Sequence, residues 1–514
     1  MARLLYKCPH CEKNTEIVSE QFSATLKKYL YTYKCGHSEF RDKLSLVDST
    51  FSNLKGTKEA YSFQKAGIEF AERCNFDCMI ADSMGLGKTI QALLAVRNAH
   101  LEPCLLIVPS SLIYQWIKET QDWCSDEATG VCPIISSNGF ILPGFRYYVI
   151  SMDTLSRNEM WKKLLPLGIK SIIVDECHKF KDSSSKRSGA LLSFCRAANP
   201  KKILLSGTPI KNYADEFFVP LNLLSPLNFP SKKRFQFMWL TQDEKGRYTR
   251  IAPWRLERFH EMISNFVIRR EKEQVLTNLP SFQRNYKFVE NEDEMIRDLY
   301  NQELDLYSNF LDSGAKIESS HILAFLAKLR RITAMAKIPL VKEYIEEFQL
   351  NNMMNDKGAE KLAVGIHHVA VRDSLKAICE NQNMPCLTLS GEDSALRKEQ
   401  IKEEFELPQN NLLVINIGSG GLGLNLQFCS NALIVERYWN AADEEQFEGR
   451  FYRDGQKNPV TVDYMMLAGS IDQWFHELVE TKRQIFGETV ANWNFTSDID
   501  SLKSVAKKAI ENRL

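Results

Sequence analysis

The sequence predicts an α/β protein built on parallel, nucleotide-binding sheet. Three stretches carry that expectation, and each is a short apolar run ending in small, polar or acidic residues. They are Cys78-Met79-Ile80-Ala81 ahead of residues 82–89, Ser171-Ile172-Ile173-Val174 ahead of Asp175-Glu176, and Ile203-Leu204-Leu205 ahead of Ser206-Gly207-Thr208-Pro209. Short apolar runs of this kind suit strands buried on both faces. In open α/β sheets, ligands gather beyond the C-terminal ends of such strands.

Residues 82–89 read Asp82-Ser83-Met84-Gly85-Leu86-Gly87-Lys88-Thr89, a phosphate loop with Asp82 in place of its usual first glycine. A loop of backbone N–H groups at a helix N-terminus can cradle a triphosphate. Gly85 and Gly87 allow close approach, because a Cβ at either position obstructs the ligand or the turn. Lys88 is expected on the β- and γ-phosphates and the Thr89 hydroxyl on magnesium. Asp82, Met84 and Leu86 complete the candidate contacts to ATP. The preceding apolar run reads as a strand and residues 90–97 as a helix.

In the second stretch a buried strand delivers two adjacent acids. Asp175 is the candidate magnesium ligand and Glu176 the group that polarises attacking water. In the third, Ser206 and Thr208 are placed to sense the γ-phosphate. A phosphate loop 87 positions earlier (175 minus 88) argues against an ordinary acidic loop, and three strands with functional C-terminal ends are expected on one sheet.

The 514 residues exceed one hydrophobic core, and roughly three domains are expected. Lys plus Arg equals Asp plus Glu, 65 against 65, so a nucleic-acid partner requires a local basic groove. No apolar run approaches the ~20 residues of a membrane span, and the N-terminus lacks a signal-peptide core. Thirteen cysteines, mostly scattered, suit a reducing intracellular compartment.

Taken in order, the chain opens with Cys8-Pro9-His10-Cys11 and then Cys35-Gly36-His37. Cysteines three apart on a tight turn can face one tetrahedral zinc, and a second knuckle closes the site. Cys8, Cys11, Cys35 and His37 are the expected ligands, with His10 a competitor for the fourth place. Such a ribbon folds around its metal and is a natural platform for a protein partner. After a polar link at residues 48–57 comes Gln64, whose amide can donate and accept as an adenine edge requires. An apolar strand at 104–108 follows the phosphate loop, with Ser110 expected to cap the next helix.

Later, residues 361–368 read as a strand that opens a second lobe, ending at His367-His368. Residues 412–417 read as another buried strand, followed by a glycine-rich loop through Gly423. Gln446, Arg450 and Arg453 lie together further on. The two arginines are three apart, so a helix places both on one face. A guanidinium there suits the charge developing on a transferring phosphoryl group.

Residues 82–89, 175–178 and 206–209 resemble the motifs of superfamily two helicases. In detail they resemble its Swi/Snf-type DNA translocases. Ser206-Gly207-Thr208-Pro209-Ile210-Lys211-Asn212 with Glu216 is similar to that family's third motif, and Arg269-Arg270-Glu271-Lys272 to the segment that joins its lobes. Residues 389–405 resemble a further motif, with Ser390 where Asp is usual. Ser83, Ile417-Gly418 and Tyr452 also depart from the family pattern. Residues 329–341 are most similar to the annealing-helicase and fork-remodelling group.

The resemblance implies two RecA-like lobes with helical protrusions. The expected divisions are a zinc ribbon over 1–45, lobe 1 with its protrusion over 50–280, a protrusion and lobe 2 over 281–490, and a tail over 491–514. It also implies ATP hydrolysis between the lobes, with Gln446, Arg450 and Arg453 completing the site, and a sequence-independent grip on double-stranded or branched DNA. Lys232-Lys233-Arg234 and Arg330-Arg331 are candidate backbone contacts. A monomer is expected, nucleoid-associated in the cytoplasm of a prokaryote or in a viral setting, and nuclear in a eukaryote. Two rival readings are a strand-separating DNA or RNA helicase, and a zinc-ribbon recruitment protein with a vestigial motor.

Overall fold

The computed structural model describes residues 6–7, 11, 14–15, 17–23, 28–33, 35–41, 59–124, 130–139, 141–210, 214–242, 246–276, 278–290, 293–313, 319–354, 360–418, 424–438, 441–490 and 508–510. Cys8, His10, Asn212 and Gly423, named above, lie outside them.

The first lobe is a seven-stranded, wholly parallel sheet. Its strands are β1 (Asp77–Ile80), β2 (Cys104–Val108), β3 (Val131–Ile134), β4 (Tyr147–Ser151), β5 (Ser171–Val174), β6 (Lys201–Leu205) and β7 (Val267–Ile268), in the order β7-β1-β6-β5-β2-β4-β3. The unbroken apolar run of β2 follows from this architecture, because both faces are covered. Leu105 and Ile107 enter one core, whereas Cys104, Leu106 and Val108 enter the other. Helices α1 (Ser62–Arg73), α2 (Lys88–Asn98) and α3 (Ile113–Cys124) are lobe 1 elements that matter for the site.

The second lobe repeats the plan with six parallel strands. These are β8 (Phe282–Val289), β9 (Leu362–Ile366), β10 (Leu387–Leu389), β11 (Leu412–Asn416), β12 (Asn431–Ile434) and β13 (Val460–Leu467), in the order β8-β13-β12-β9-β11-β10. Both lobes therefore place their C-terminal strand ends beside loops that carry the candidate motifs. Helices α4 (Glu294–Asp312), α5 (Ser319–Ala336) and α6 (Ile338–Met354) interrupt this lobe between β8 and β9. The first two share a core with Ile471 and Phe475 of the helix Ile471–Val490.

Several local expectations change. The second lobe opens at β8, before its helical insertion, and not at residue 361. β8 is an edge strand with half-exposed residues along it, so it lacks the apolar run that marks a central strand. β7 is likewise a two-residue edge strand hidden inside the linker motif. Ser110 lies within a short 3₁₀ turn, Ser110–Leu112, which follows Pro109 without a side-chain cap. The proline sets that turn ahead of α3, so Ser110 never occupies the helix's N-cap.

Near the N-terminus, Ile17–Ser23, Lys28–Tyr33 and Ser38–Arg41 form an antiparallel sheet. Among the described residues, no helix is long and apolar enough to cross a membrane.

Candidate functional site

The phosphate loop leaves β1 and enters α2 at Lys88. Gly85 and Gly87 have φ of 88° and 68°, and Gly87 is the left-handed residue just before the helix. At that φ a side chain is strained, and a Cβ on Gly87 would also displace the Gln64 amide, so glycine is favoured here. Lys88 Nζ donates to Asp82 O at 2.7 Å and Ser83 O at 3.3 Å. Burial lowers its pKa, while Glu176, Asp82 and Asp175 hold it up. Thr89 is the second residue of α2, beside the same turn.

Asp175 and Glu176 follow β5, as the sequence predicts. Trp116 Nε1 on α3 donates to Asp175 Oδ2 at 2.9 Å, and the Glu176 N–H donates to Asp175 Oδ1 at 2.9 Å. Burial, reinforced by Glu176, pushes Asp175 up to about 6. Trp116 and Lys88 offset this only in part, and the carboxylate and the Thr89 hydroxyl are oxygen donors of the kind magnesium takes. Glu176 behaves oppositely. Burial favours its neutral form, but His178, Lys88 and Lys179 outweigh this and hold it at about 2. Its backbone is left-handed, with φ at 47°.

His178 Nδ1 lies 3.2 Å from Glu176 Oε2 and 2.9 Å from Ser206 Oγ, and that hydroxyl accepts from Thr208 N at 3.1 Å. The second and third stretches are thus joined through His178. Sequence reasoning assigned it no role, although it lies three residues after Asp175.

Lobe 2 reaches the same place. Gln446, on the helix α7 (Ala441–Glu448), donates through Nε2 to Glu176 Oε1 at 3.2 Å. Arg450 Nε is buried without a hydrogen-bond partner, and burial together with Arg453 lowers that guanidinium to about 10 against the pull of Glu176 and Asp175. Arg453 donates to Asn425 Oδ1, and its Cβ stands 3.0 Å from where a Cβ on Gly85 would lie. The helical placement of the two arginines is corrected: α7 ends at Glu448, and both sit on the turn that follows. Gly449 permits that turn to pack against the Met84 side chain. Tight packing against the phosphate loop, not helical periodicity, brings the arginines together.

Two expected nucleotide contacts have other employment. Asp82 is fully buried, and Arg270 grips it with both Nε and Nη2 while Gln91 Nε2 donates to it at 3.0 Å. A carboxylate with these partners anchors the loop to the linker segment and to α2. Gln64 accepts from Tyr61 N at 3.0 Å and donates to Leu86 O at 3.3 Å, so its amide clamps the helix start to the loop. Met84 packs toward Gly207 and Gly449.

Two of the basic candidates are also engaged internally. Lys232 pairs with Asp215 at 2.7 Å, and Arg330 is buried and donates to Arg437 O. At the N-terminus, Cys11, Cys35 and His37 present ligand atoms within 4.8 Å of one another. That cluster matches three of the four expected zinc ligands in type and spacing.

Comparison with known proteins agrees with this architecture. The SNF2-related domain matches residues 26–338, and the helicase conserved C-terminal domain matches residues 349–455. The chain is 27% identical to the mouse "DNA annealing helicase and endonuclease ZRANB3" over 83% of its length and 40% of that protein's. It is 26% identical to the Xenopus tropicalis "SWI/SNF-related matrix-associated actin-dependent regulator of chromatin subfamily A-like protein 1", over 90% of its length and 48% of the relative's. The chain therefore spans less than half of these relatives. Among solved structures, the "Sulfolobus solfataricus SWI2/SNF2 ATPase core in complex with dsDNA" is 22% identical, with a TM-score of 0.42 and 91% of this chain and all of that one covered. With the SNF2-related match spanning most of its length, the chain belongs to the SNF2-related family.

Proposed function

We propose that this chain is an ATP-dependent motor that hydrolyses ATP between its lobes and tracks along double-stranded or branched DNA. The contact of Gln446 with Glu176 carries the reading, because it brings a lobe 2 side chain onto the candidate base of lobe 1. Lys88 and the loop of Gly85 and Gly87 hold the phosphates, and Thr89 with Asp175 holds magnesium. Magnesium bound there supplies charge neutralisation for the transferring phosphoryl group. Glu176, kept ionised, orients and polarises water. Arg450 and Arg453 meet the developing charge.

A site split between lobes is complete only when they close. Alternating closure and opening shifts each lobe's grip on the nucleic-acid backbone, which is the physical basis of translocation. Contacts to phosphates confer little sequence preference. Action on branched DNA is supported by the likeness to a relative named as a DNA annealing helicase. The retained Lys88, Asp175, Glu176 and both arginines disfavour a vestigial motor.

At the N-terminus, Cys11, Cys35 and His37, with Cys8, are proposed to hold one structural zinc and to offer a surface to a protein partner. Elemental analysis that finds no zinc in a folded chain excludes this.

The deciding experiment is ATPase activity with no nucleic acid, duplex DNA, branched DNA, single-stranded DNA and RNA. Duplex or branched DNA is expected to stimulate most, and the stimulation to fall steeply with salt. Preferential stimulation by RNA, or robust unwinding of a blunt duplex, overturns the reading.

A further inference from the structure

The segment 269–272 is tied to both lobes. Arg269 donates to Ala81 O at 3.3 Å and Gly207 O at 3.1 Å, bridging the ends of β1 and β6. Arg270 grips Asp82 and also reaches Phe63 O. Glu271 accepts from the Ser83 hydroxyl and from Arg269 Nε. These three residues make the segment a rigid part of lobe 1's phosphate loop.

Lys272 turns the other way. Its ammonium donates to Tyr452 O at 2.6 Å and lies 5.1 Å from the centroid of the Tyr452 ring. Tyr452 sits between Arg450 and Arg453, on the turn that carries both. Lys272 Nζ is also 3.6 Å from the point a Cβ on Gly449 would occupy, and its Cε is 3.5 Å from that point on Gly85. It is 8% exposed. One buried side chain therefore touches the phosphate loop, the start of the arginine turn and its middle.

We propose that Lys272 is a positioning residue for hydrolysis, a latch that seats Arg450 and Arg453 against the phosphate loop as the lobes close. The proposal rests on the motor reading above. Its acceptor is a backbone carbonyl, so the bond holds the path of the chain through the arginines and not a single rotamer. A buried ammonium needs polar partners, and the Tyr452 carbonyl and ring that it meets arrive with the other lobe. Closure and arginine placement are thereby made one event. Tyr61 also crosses the lobes, to Asp454 at 3.0 Å, but that contact is exposed and meets the residue after Arg453 and not the stretch between the two arginines.

The test compares Lys272→Met, which keeps the stem and removes the donor, with Lys272→Arg, which retains a cation. With saturating duplex DNA, the Met variant is expected to lose about 10²-fold in kcat, the scale of displacing a catalytic group by about 1 Å. KM for ATP should stay within about twofold, since the cradle is untouched. The Arg variant should recover part of the loss. Dyes on the outer faces of the two lobes should report closure with a non-hydrolysable ATP analogue in the wild type and incomplete closure in Lys272→Met. Turnover within about twofold of wild type, a loss confined to KM, or unchanged closure overturns the latch. If the wild type shows no ATPase at all, the motor reading fails, and the closure measurement still decides the role of Lys272.

Discussion

The Gln446 amide donates to Glu176 Oε1 at 3.2 Å, joining two residues 270 positions apart and on different lobes. The bond reaches the carboxylate proposed to polarise water, and it forms only where the two lobes meet. A hydrogen bond to a charged group is worth about 1.5–3 kcal/mol, which corresponds to about ten- to a hundredfold in rate. Gln446→Ala is expected to lower kcat on that scale and to leave ATP binding by a fluorescent analogue unchanged. Weaker ATP binding with normal kcat would place Gln446 outside the chemistry.

Glu176→Gln and Arg453→Ala separate binding from turnover. Each should reduce ATP hydrolysis by orders of magnitude, and an arginine finger alone is worth about 10³–10⁵. Glu176→Gln leaves Lys88, Thr89 and the glycine loop intact, so equilibrium titration should still show ATP bound. Near-normal turnover in the Glu176→Gln protein contradicts the assignment of the base.

Asp82→Gly restores the residue a phosphate loop usually carries first, yet it should harm this protein. Arg270 and Asp82 are 1% and 0% exposed, and the substitution leaves the guanidinium buried without its carboxylate. Removing one partner of such a pair costs about 3–5 kcal/mol. Urea denaturation should show lobe 1 destabilised, and Asp82→Gly combined with Arg270→Met should recover much of the loss. Unchanged stability in the single variant would show that the pair contributes little.

Glu436 predicts an acid limb of stability. It accepts from His367 N and His368 N at 2.8 and 2.9 Å and pairs with the His368 ring. Burial opposes its charge, but those donors dominate and hold it at about 2. A carboxyl depressed in the folded state stabilises above its unfolded pKa and loses that contribution as pH falls toward the folded value. The stability difference between wild type and Glu436→Gln should therefore shrink between about pH 4.5 and pH 2. Denaturant midpoints across that range measure it, and a difference independent of pH would rule out the linkage.

Much of the site was legible because its chemistry is local. The strand ends at Ala81, Val174 and Leu205 and the residues beyond them follow from apolar runs that break into glycine, acid or hydroxyl. Of the second lobe's central strands, β9 and β11 were legible for the same reason, whereas β12 and β13 were not read. Edge strands β7 and β8 were not, since each has one open side and no continuous apolar run. His178, Trp116 and Asn425 escaped because their roles depend on contacts with residues remote in the chain. His178 and Trp116 reach partners 28 and 59 positions away.

By itself the sequence determined the α/β class and the strand ends that carry Lys88, Thr89 and the acid pair after β5, and its family resemblance pointed to Gln446, Arg450 and Arg453 as partners in the second lobe. Tertiary structure alone decided that Asp82 serves Arg270, that Gln64 clamps the loop, that the arginines ride a turn after α7, and that Lys272 faces the other lobe. The reason is physical. Strand and helix patterns, and the donors and acceptors of a motif, are properties of a few consecutive residues. Which buried charge meets which is settled only when two separate sheets pack their loops together, where each polar group must find a partner on whatever chain segment arrives.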